Sequence, residues 1–250
     1  MKQKLFLANW KMSLTPSQAL ALAKEYQKLK INQNQEVSVF PSFSALGAVG
    51  GVLGKTKIQL GAQDVFWQDH GAYTGEESVL SLKELGVKSV LVGHSERRQY
   101  CGETQEMINQ KVVASLEAGL RPVICVGETF DQRKDGQKDF VVMSQLESAL
   151  ANLELALPDR LVVAYEPVWM IGSGQAIAAE EIWYTLEVIR HFLISRYSAT
   201  VVSNQIWLIY GGSVADDDTV LFDHEVVEGV LVGGASLSAD EFNKILGKAQ

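Results

Sequence analysis

Eight short apolar runs recur along this chain, each followed by a longer stretch, and that alternation limits the possible folds more than any other feature. The runs span residues 5–8, 37–40, 58–62, 89–93, 122–127, 161–165, 206–210 and 229–232 and are rich in Val, Ile and Leu. Most show no apolar/polar alternation, which predicts strands buried on both faces, as in a parallel sheet. The stretches between them carry helical signals. Thr15-Pro16-Ser17-Gln18 is a capping box with proline at the first helical position, predicting a helix that runs to about residue 30. Apolar residues keep helical spacing over 104–117 and 180–197, Gly119 is a stop for the former, and Ser238-Ala239-Asp240-Glu241 is a second capping box opening the last helix.

Eight units in 250 residues average about 31 residues each, close to the roughly 30 residues of a βαβ unit. No Gly/Ser-rich or Pro-rich linker interrupts them, so the expectation is an α/β chain folded as a single (β/α)8 barrel domain over residues 1–250. A doubly wound open sheet would be expected to carry a Gly-x-Gly-x-x-Gly turn after an early strand. Here the first run is followed by Asn9-Trp10-Lys11-Met12.

The bulk numbers narrow the partners. With 47% apolar and 21% charged residues, the chain has the composition of a globular protein with a full core. Its net charge of −8 argues against nucleic acid or an anionic membrane as a partner. An anionic substrate would then need a local positive field. Cys101 and Cys125 lack metal-ligand spacing, and each lies in or beside an apolar or helical stretch, which suits a reduced, cytoplasmic protein. The N-terminal apolar run is too short for a signal peptide, and no later run is long enough to span a bilayer.

In a barrel, the residues just after each strand meet at one end, where active sites form. Those positions hold Asn9 and Lys11 after the first strand, His94, Ser95 and Glu96 after the fourth, Glu128 after the fifth and Glu166 after the sixth. Gly211, Gly212 and Ser213 follow the seventh, and Gly233 and Gly234 the eighth. Glu166 precedes Pro167, which forces extended geometry on it. Val168, Trp169, Met170 and Ile171 then form an apolar loop ending in Gly172-Ser173-Gly174. Two readings stay open for that loop: a lid closing over a reacting carboxylate, or a loop packed permanently on its own barrel. Glu166 is a candidate general base, and His94 a candidate acid or hydrogen-bond donor. His70, His191 and His224 read as structural. Lys11, with Glu96 as partner, could polarise a substrate oxygen. The glycine pairs with Gly172 and Ser213 would present bare amides to a phosphate. No Walker-type sequence calls for a nucleoside triphosphate.

Several segments resemble one family. They are Ala8-Asn9-Trp10-Lys11-Met12, Ala72-Tyr73-Thr74-Gly75-Glu76, Val92-Gly93-His94-Ser95-Glu96-Arg97-Arg98 and Cys125-Val126-Gly127-Glu128. Ala164-Tyr165-Glu166-Pro167-Val168-Trp169, Tyr210-Gly211-Gly212-Ser213-Val214 and Leu231-Val232-Gly233-Gly234-Ala235-Ser236-Leu237 complete the set. Together and in this order they resemble the triosephosphate isomerases over essentially the whole chain. The resemblance implies a TIM barrel that interconverts D-glyceraldehyde 3-phosphate and dihydroxyacetone phosphate through an enediol(ate), in glycolysis and gluconeogenesis, with no metal and no organic cofactor. It implies Glu166 as the base, His94 as a neutral electrophile, Lys11 and Asn9 at the oxyanion, and Glu96 holding Lys11. It places Gly172, Ser213, Gly233 and Gly234 at the phosphate. It also implies a homodimer in which the long loop after the third strand, with Phe66, Trp67 and Tyr73, carries Thr74 toward the partner's site.

The chain departs from the family pattern at Met170 and Gln175 in the lid, at the run Asp216-Asp217-Asp218 near the expected phosphate site, and at Cys101, where an aromatic residue is usual. Two other readings compete: a metal-dependent sugar-phosphate epimerase, and a barrel that binds phosphate without turnover.

Overall fold

The computed structural model describes residues 2–155, 160–170, 177–212 and 218–248. Its strands are β1 (Lys4–Asn9), β2 (Gln35–Phe40), β3 (Gln59–Ala62), β4 (Val87–Val92), β5 (Arg121–Val126), β6 (Leu161–Tyr165), β7 (Ile206–Tyr210) and β8 (Gly229–Val232). They pair in sequence order, all parallel, and β8 pairs back onto β1 to close the barrel. The α-helices are α1 (Pro16–Tyr26), α2 (Phe43–Leu53), α3 (Val79–Glu84), α4 (Ser95–Tyr100) and α5 (Gln105–Glu117), then α6 (Phe130–Lys134), α7 (Lys138–Ala149), α8 (Ala179–Tyr197), α9 (Ala199–Gln205) and α10 (Ala239–Lys248).

The unbroken apolar character of the strands has a direct cause. Successive side chains point to opposite faces, and both faces are covered. Leu5, Leu7, Phe40, Leu91, Val123, Cys125, Val162, Ala164, Trp207, Ile209 and Leu231 fill the barrel interior. Their sequence neighbours, among them Phe6, Val37, Val39, Ile124, Val163 and Leu208, belong to the larger core under the helices. Each Val, Leu, Ile or Phe among them contributes roughly 1.5–3 kcal/mol when fully buried. A helix meets that layer with one stripe: α8 buries Ile182, Leu186, Ile189 and Leu193, spaced three and four apart.

The helix signals act as the sequence reading expects. Thr15 accepts from the Gln18 N–H while the Gln18 side chain returns to the Thr15 N–H, and Pro16 holds the first helical position. Thr104 caps α5 through Met107, and Gly119 follows that helix at φ +74°. One expectation fails in extent. The first helix stops at Tyr26 instead of running to residue 30, because the chain tightens through Lys28 N–H to Glu25 O and Leu29 N–H to Tyr26 O, at 3.0 and 3.1 Å. That turn lets Leu29 and Ile31 pack on the core on the way into β2. Several strands also begin one or two residues before their apolar run, at Lys4, Gln35, Val87 and Arg121. Polar side chains are tolerated there because those positions form the lower rim of the barrel. Among the described residues no helix is long and apolar enough to cross a membrane.

Candidate active site

Parallel closure brings the carboxyl ends of all eight strands to one mouth. Asn9 ends β1 and is buried. Its side-chain Oδ1 accepts the N–H of Lys11 at 3.0 Å, a local turn that lets Lys11 adopt φ +51°. A left-handed conformation costs a residue with a β-carbon about 1–2 kcal/mol. The strain is held from the other side by Gln63, whose amide donates to the carbonyls of Lys11 and Phe40 at 2.8 and 2.9 Å. The result is that Lys11 turns back over the mouth, and its Nζ meets Glu96 Oε1 at 2.6 Å.

His94 caps α4. Its Nδ1 accepts the Glu96 N–H at 3.3 Å, so the ring proton sits on Nε2. That Nε2 lies 3.1 Å from Glu166 Oε1. The second oxygen of Glu166 accepts the Ser95 N–H at 3.2 Å. The pair is deeply buried, with His94 5% and Glu166 2% exposed, in keeping with the rule that a carboxylate out of water needs hydrogen-bond partners. Lys11, Glu96, His94 and Glu166 thus form one continuous polar chain across the mouth. Glu96 links its halves, its backbone N–H donating to His94 Nδ1 and its carboxylate holding the Lys11 ammonium.

Backbone room for Glu166 comes from two glycines. Its own N–H donates to Val126 O at 2.7 Å. A β-carbon on Gly127 would lie 1.6 Å from the Glu166 carbonyl, and one on Gly211 would lie 2.8 Å from the Glu166 Cγ. Neither position accepts a larger residue without moving the carboxylate. Gly233 sits beside the Lys11 stem, where a β-carbon would approach Cε to 3.3 Å. Gly234 opens the 3-10 turn Gly234–Leu237. Of the remaining expected site residues, Gly172 and Ser213 lie outside the described residues, as do Gln175, Asp216 and Asp217.

Several supporting groups were assigned no role from the sequence. Ser236 Oγ contacts Gly233 O at 2.6 Å and Asn9 O at 3.3 Å, tying the turn after β8 to the end of β1. Arg98 donates to Gly93 O at 2.6 Å and Cys125 O at 3.0 Å, bracing the ends of β4 and β5. The Cys125 thiol is pushed up by burial and then by the Glu166 charge, which keeps it protonated and inert beside the carboxylate. Glu128, wholly buried, accepts from the Tyr165 hydroxyl at 3.2 Å and from the Trp169 indole N–H at 2.9 Å. Burial and then the Glu128 charge hold the Tyr165 hydroxyl well above the ordinary phenol range. The Arg133 guanidinium lies 4.5 Å over the Trp169 ring. The apolar segment after Pro167 therefore begins as a 3-10 turn, Val168–Met170, anchored through Trp169, with Met170 buried.

The other three histidines differ in their surroundings. His224 stacks on Trp183 at 5.3 Å and accepts the Val226 N–H; His70 and His191 are exposed. Among the described residues no three His, Cys, Asp or Glu side chains gather as a metal ion would require.

The arrangement can do proton-transfer chemistry. It offers a carboxylate, a neutral N–H donor and an ammonium group facing one space, with bare backbone amides beside them. The sequence also has close relatives. The family profile described as triosephosphate isomerase matches residues 4–249. The triosephosphate isomerase of Thermoanaerobacter sp. (strain X514) is 44% identical over 247 residues, covering 98% of this chain and 99% of its own length. That of Dictyoglomus thermophilum is 40% identical over 248 residues, at 98% and 99% coverage. That of Alkaliphilus metalliredigens is 40% identical over 246 residues, at 97% and 98% coverage.

Proposed function

This chain belongs to the triosephosphate isomerase family, and from that premise we propose how its barrel mouth interconverts D-glyceraldehyde 3-phosphate and dihydroxyacetone phosphate. Glu166 is the base. It takes a proton from the carbon next to the carbonyl, the electron pair shifts into a carbon–carbon double bond, and the carbonyl oxygen becomes the oxyanion of an enediolate. The proton of the adjacent hydroxyl passes, by way of His94 at the two oxygens, to this oxyanion; the adjacent oxygen becomes the new carbonyl, and the same carboxyl group returns its proton to the carbon that bore the old one. His94 Nε2–H hydrogen-bonds the two substrate oxygens, and the Lys11 ammonium, with Asn9, stabilises the charge. A positioned base contributes roughly 10²–10⁴-fold, and preorganised donors at the oxyanion add about 3–4 kcal/mol each.

The observation that carries this reading is the 3.1 Å contact between His94 Nε2 and Glu166 Oε1 in a buried pair joined through Glu96 to Lys11. In this resting state the base and the electrophile hold each other. Substrate enters between them, so both meet it with their hydrogen-bonding groups already aligned. Glu96 fixes Lys11. Gly233 and Gly234, with Gly172 and Ser213, supply the phosphate contacts. The segment that starts at Val168 serves as the lid, with the Trp169–Glu128 bond as its fixed end, and keeps water from the enediolate. No metal or organic cofactor enters the reaction.

The test is direct conversion of D-glyceraldehyde 3-phosphate to dihydroxyacetone phosphate by purified protein with a chelator present. Undiminished turnover is expected. Turnover that disappears with chelator would move the reading to a metal-dependent sugar-phosphate enzyme. Binding of a phosphate analogue with no turnover would move it to a ligand-binding barrel.

The chain is further read as a single cytoplasmic domain spanning residues 1–250 that pairs with a second copy of itself. Support for pairing is the exposed aromatic loop after β3. Phe66 stacks on Trp67 at 4.0 Å and packs on Tyr73 at 4.5 Å, Tyr73 is 45% exposed, and Thr74 beside it is exposed. Met12, next to Lys11, is 93% exposed. Apolar groups in such number on one face suit an interface. Sedimentation at micromolar concentration is expected to give a dimer. A fully active monomer would reject it.

A further inference from the structure

At the opposite pole of the barrel, the strand beginnings enclose a recess of about 230 Å³ that the mouth chemistry does not use. Its charged lining comes from Glu36 on β2, Lys88 on β4, Arg121 at the start of β5 and Arg160 just before β6. Leu116 and Leu120 form an apolar wall. Three cations therefore share one carboxylate. Arg121 bonds to Glu36, and among the described residues neither Lys88 nor Arg160 has a carboxylate partner.

Two of these cations, Arg121 and Arg160, lie against Trp207, which is buried in the barrel interior. Arg121 lies 5.6 Å and Arg160 5.8 Å from its ring centroid. Arg121 is 8% exposed, yet its Nε has no hydrogen-bond partner among the described residues. A buried guanidinium normally has its donors satisfied. In a chain of net charge −8, a recess with an excess of two positive charges concentrates anions from solution. The volume falls below that of typical drug-sized pockets, roughly 300–1,000 Å³, which restricts the occupant to a small one.

We propose that this lower recess is a second ligand site, separate from the barrel mouth, which binds a small doubly charged oxyanion between Lys88, Arg121 and Arg160. The planar guanidinium groups suit the paired oxygens of a phosphate or carboxylate head, and Leu116 and Leu120 accept a short carbon body.

The test uses inorganic phosphate with the full chain and follows the Trp207 indole N–H signal by NMR, assigned with Trp207→Phe. That N–H is bonded to Gln3 O at 3.1 Å and reports on this pole alone. Phosphate is expected to shift the signal saturably, where chloride at matched ionic strength does not. The Lys88→Gln/Arg160→Gln variant should weaken that binding by at least about tenfold, since it removes two charged hydrogen-bond donors, while isomerase turnover stays unchanged. Glu36→Gln, which frees Arg121, should tighten it. An indole signal that does not move with phosphate overturns the proposal. So does a shift that persists unchanged in the double variant, or one that chloride reproduces.

Discussion

Replacing Glu166 with aspartate is expected to lower kcat by roughly 10²-fold or more with little change in KM, because about 1 Å of misplacement at the reacting atom can cost that much. The charge survives, so only position is tested. In the resting site the Glu166 oxygens reach His94 Nε2 at 3.1 Å and the Ser95 N–H at 3.2 Å. A chain one methylene shorter cannot hold both contacts from the same backbone, and that backbone is fixed by Glu166 N–H to Val126 O and Gly211 N–H to Tyr165 O, at 2.7 and 2.8 Å. The neighbouring glycines leave no way to compensate. A β-carbon at Gly127 would overlap the Glu166 carbonyl and one at Gly211 would crowd its Cγ, so no larger side chain at either position can push the shortened carboxylate forward. Stability should fall by about 0.8 kcal/mol for the lost methylene and by about 1–3 kcal/mol more for the hydrogen bond the buried carboxylate gives up. Steady-state kinetics with a urea titration separates the two effects. Near-normal kcat in a folded Glu166→Asp protein would remove Glu166 from the role of base.

The barrel was legible because its physics is repetitive. Burial of both strand faces erases alternation, and helix starts need a side-chain oxygen, so the apolar runs and Thr15 or Thr104 marked elements with little ambiguity. Boundaries were less legible where the rim tolerates charge. Arg121 begins a strand although nothing in its type suggests one; its place follows from pairing with Ser89 on β4. At the mouth, the rule that strand ends converge was enough to collect Asn9, Lys11, His94, Glu96 and Glu166. It could not find Gln63, Ser236 or Arg98. Each of these acts on a backbone carbonyl of a different loop, and such a bond exists only once two loops are neighbours. Gln63 did carry one faint signal, its position directly after β3. Cys125 could have been placed by parity alone, since it shares the inward face with Val123 and Arg121. The loop after Pro167 shows the opposite limit. Its apolar residues fit a lid and a packed turn equally well, and the structure describes a packed beginning, with Trp169 bonded to Glu128 and Met170 buried.

Replacing Lys11 with methionine is expected to reduce kcat/KM by about 10²–10³-fold. The ammonium is assigned to the oxyanion, and loss of one oxyanion donor costs about 3–4 kcal/mol, which spans that range. Methionine is the informative choice because Lys11 stands at φ +51°. Any residue with a β-carbon bears similar strain there, so the backbone cost cancels, and the unbranched stem still fills the space beside Gly233. The fold should not notice the change. The Lys11–Glu96 pair is only partly buried, with side chains 26% and 40% exposed, and such a pair is worth about 0–1 kcal/mol to stability. Glu96 left alone remains in contact with water. The strained turn itself is held by Asn9 Oδ1 and Gln63, neither of which needs the ammonium. A large kinetic loss at unchanged thermal stability would place the energy of this strained residue in catalysis. A loss under about tenfold, roughly 1.4 kcal/mol, would return Lys11 to an ordinary surface charge and leave the left-handed turn at the barrel mouth without a function.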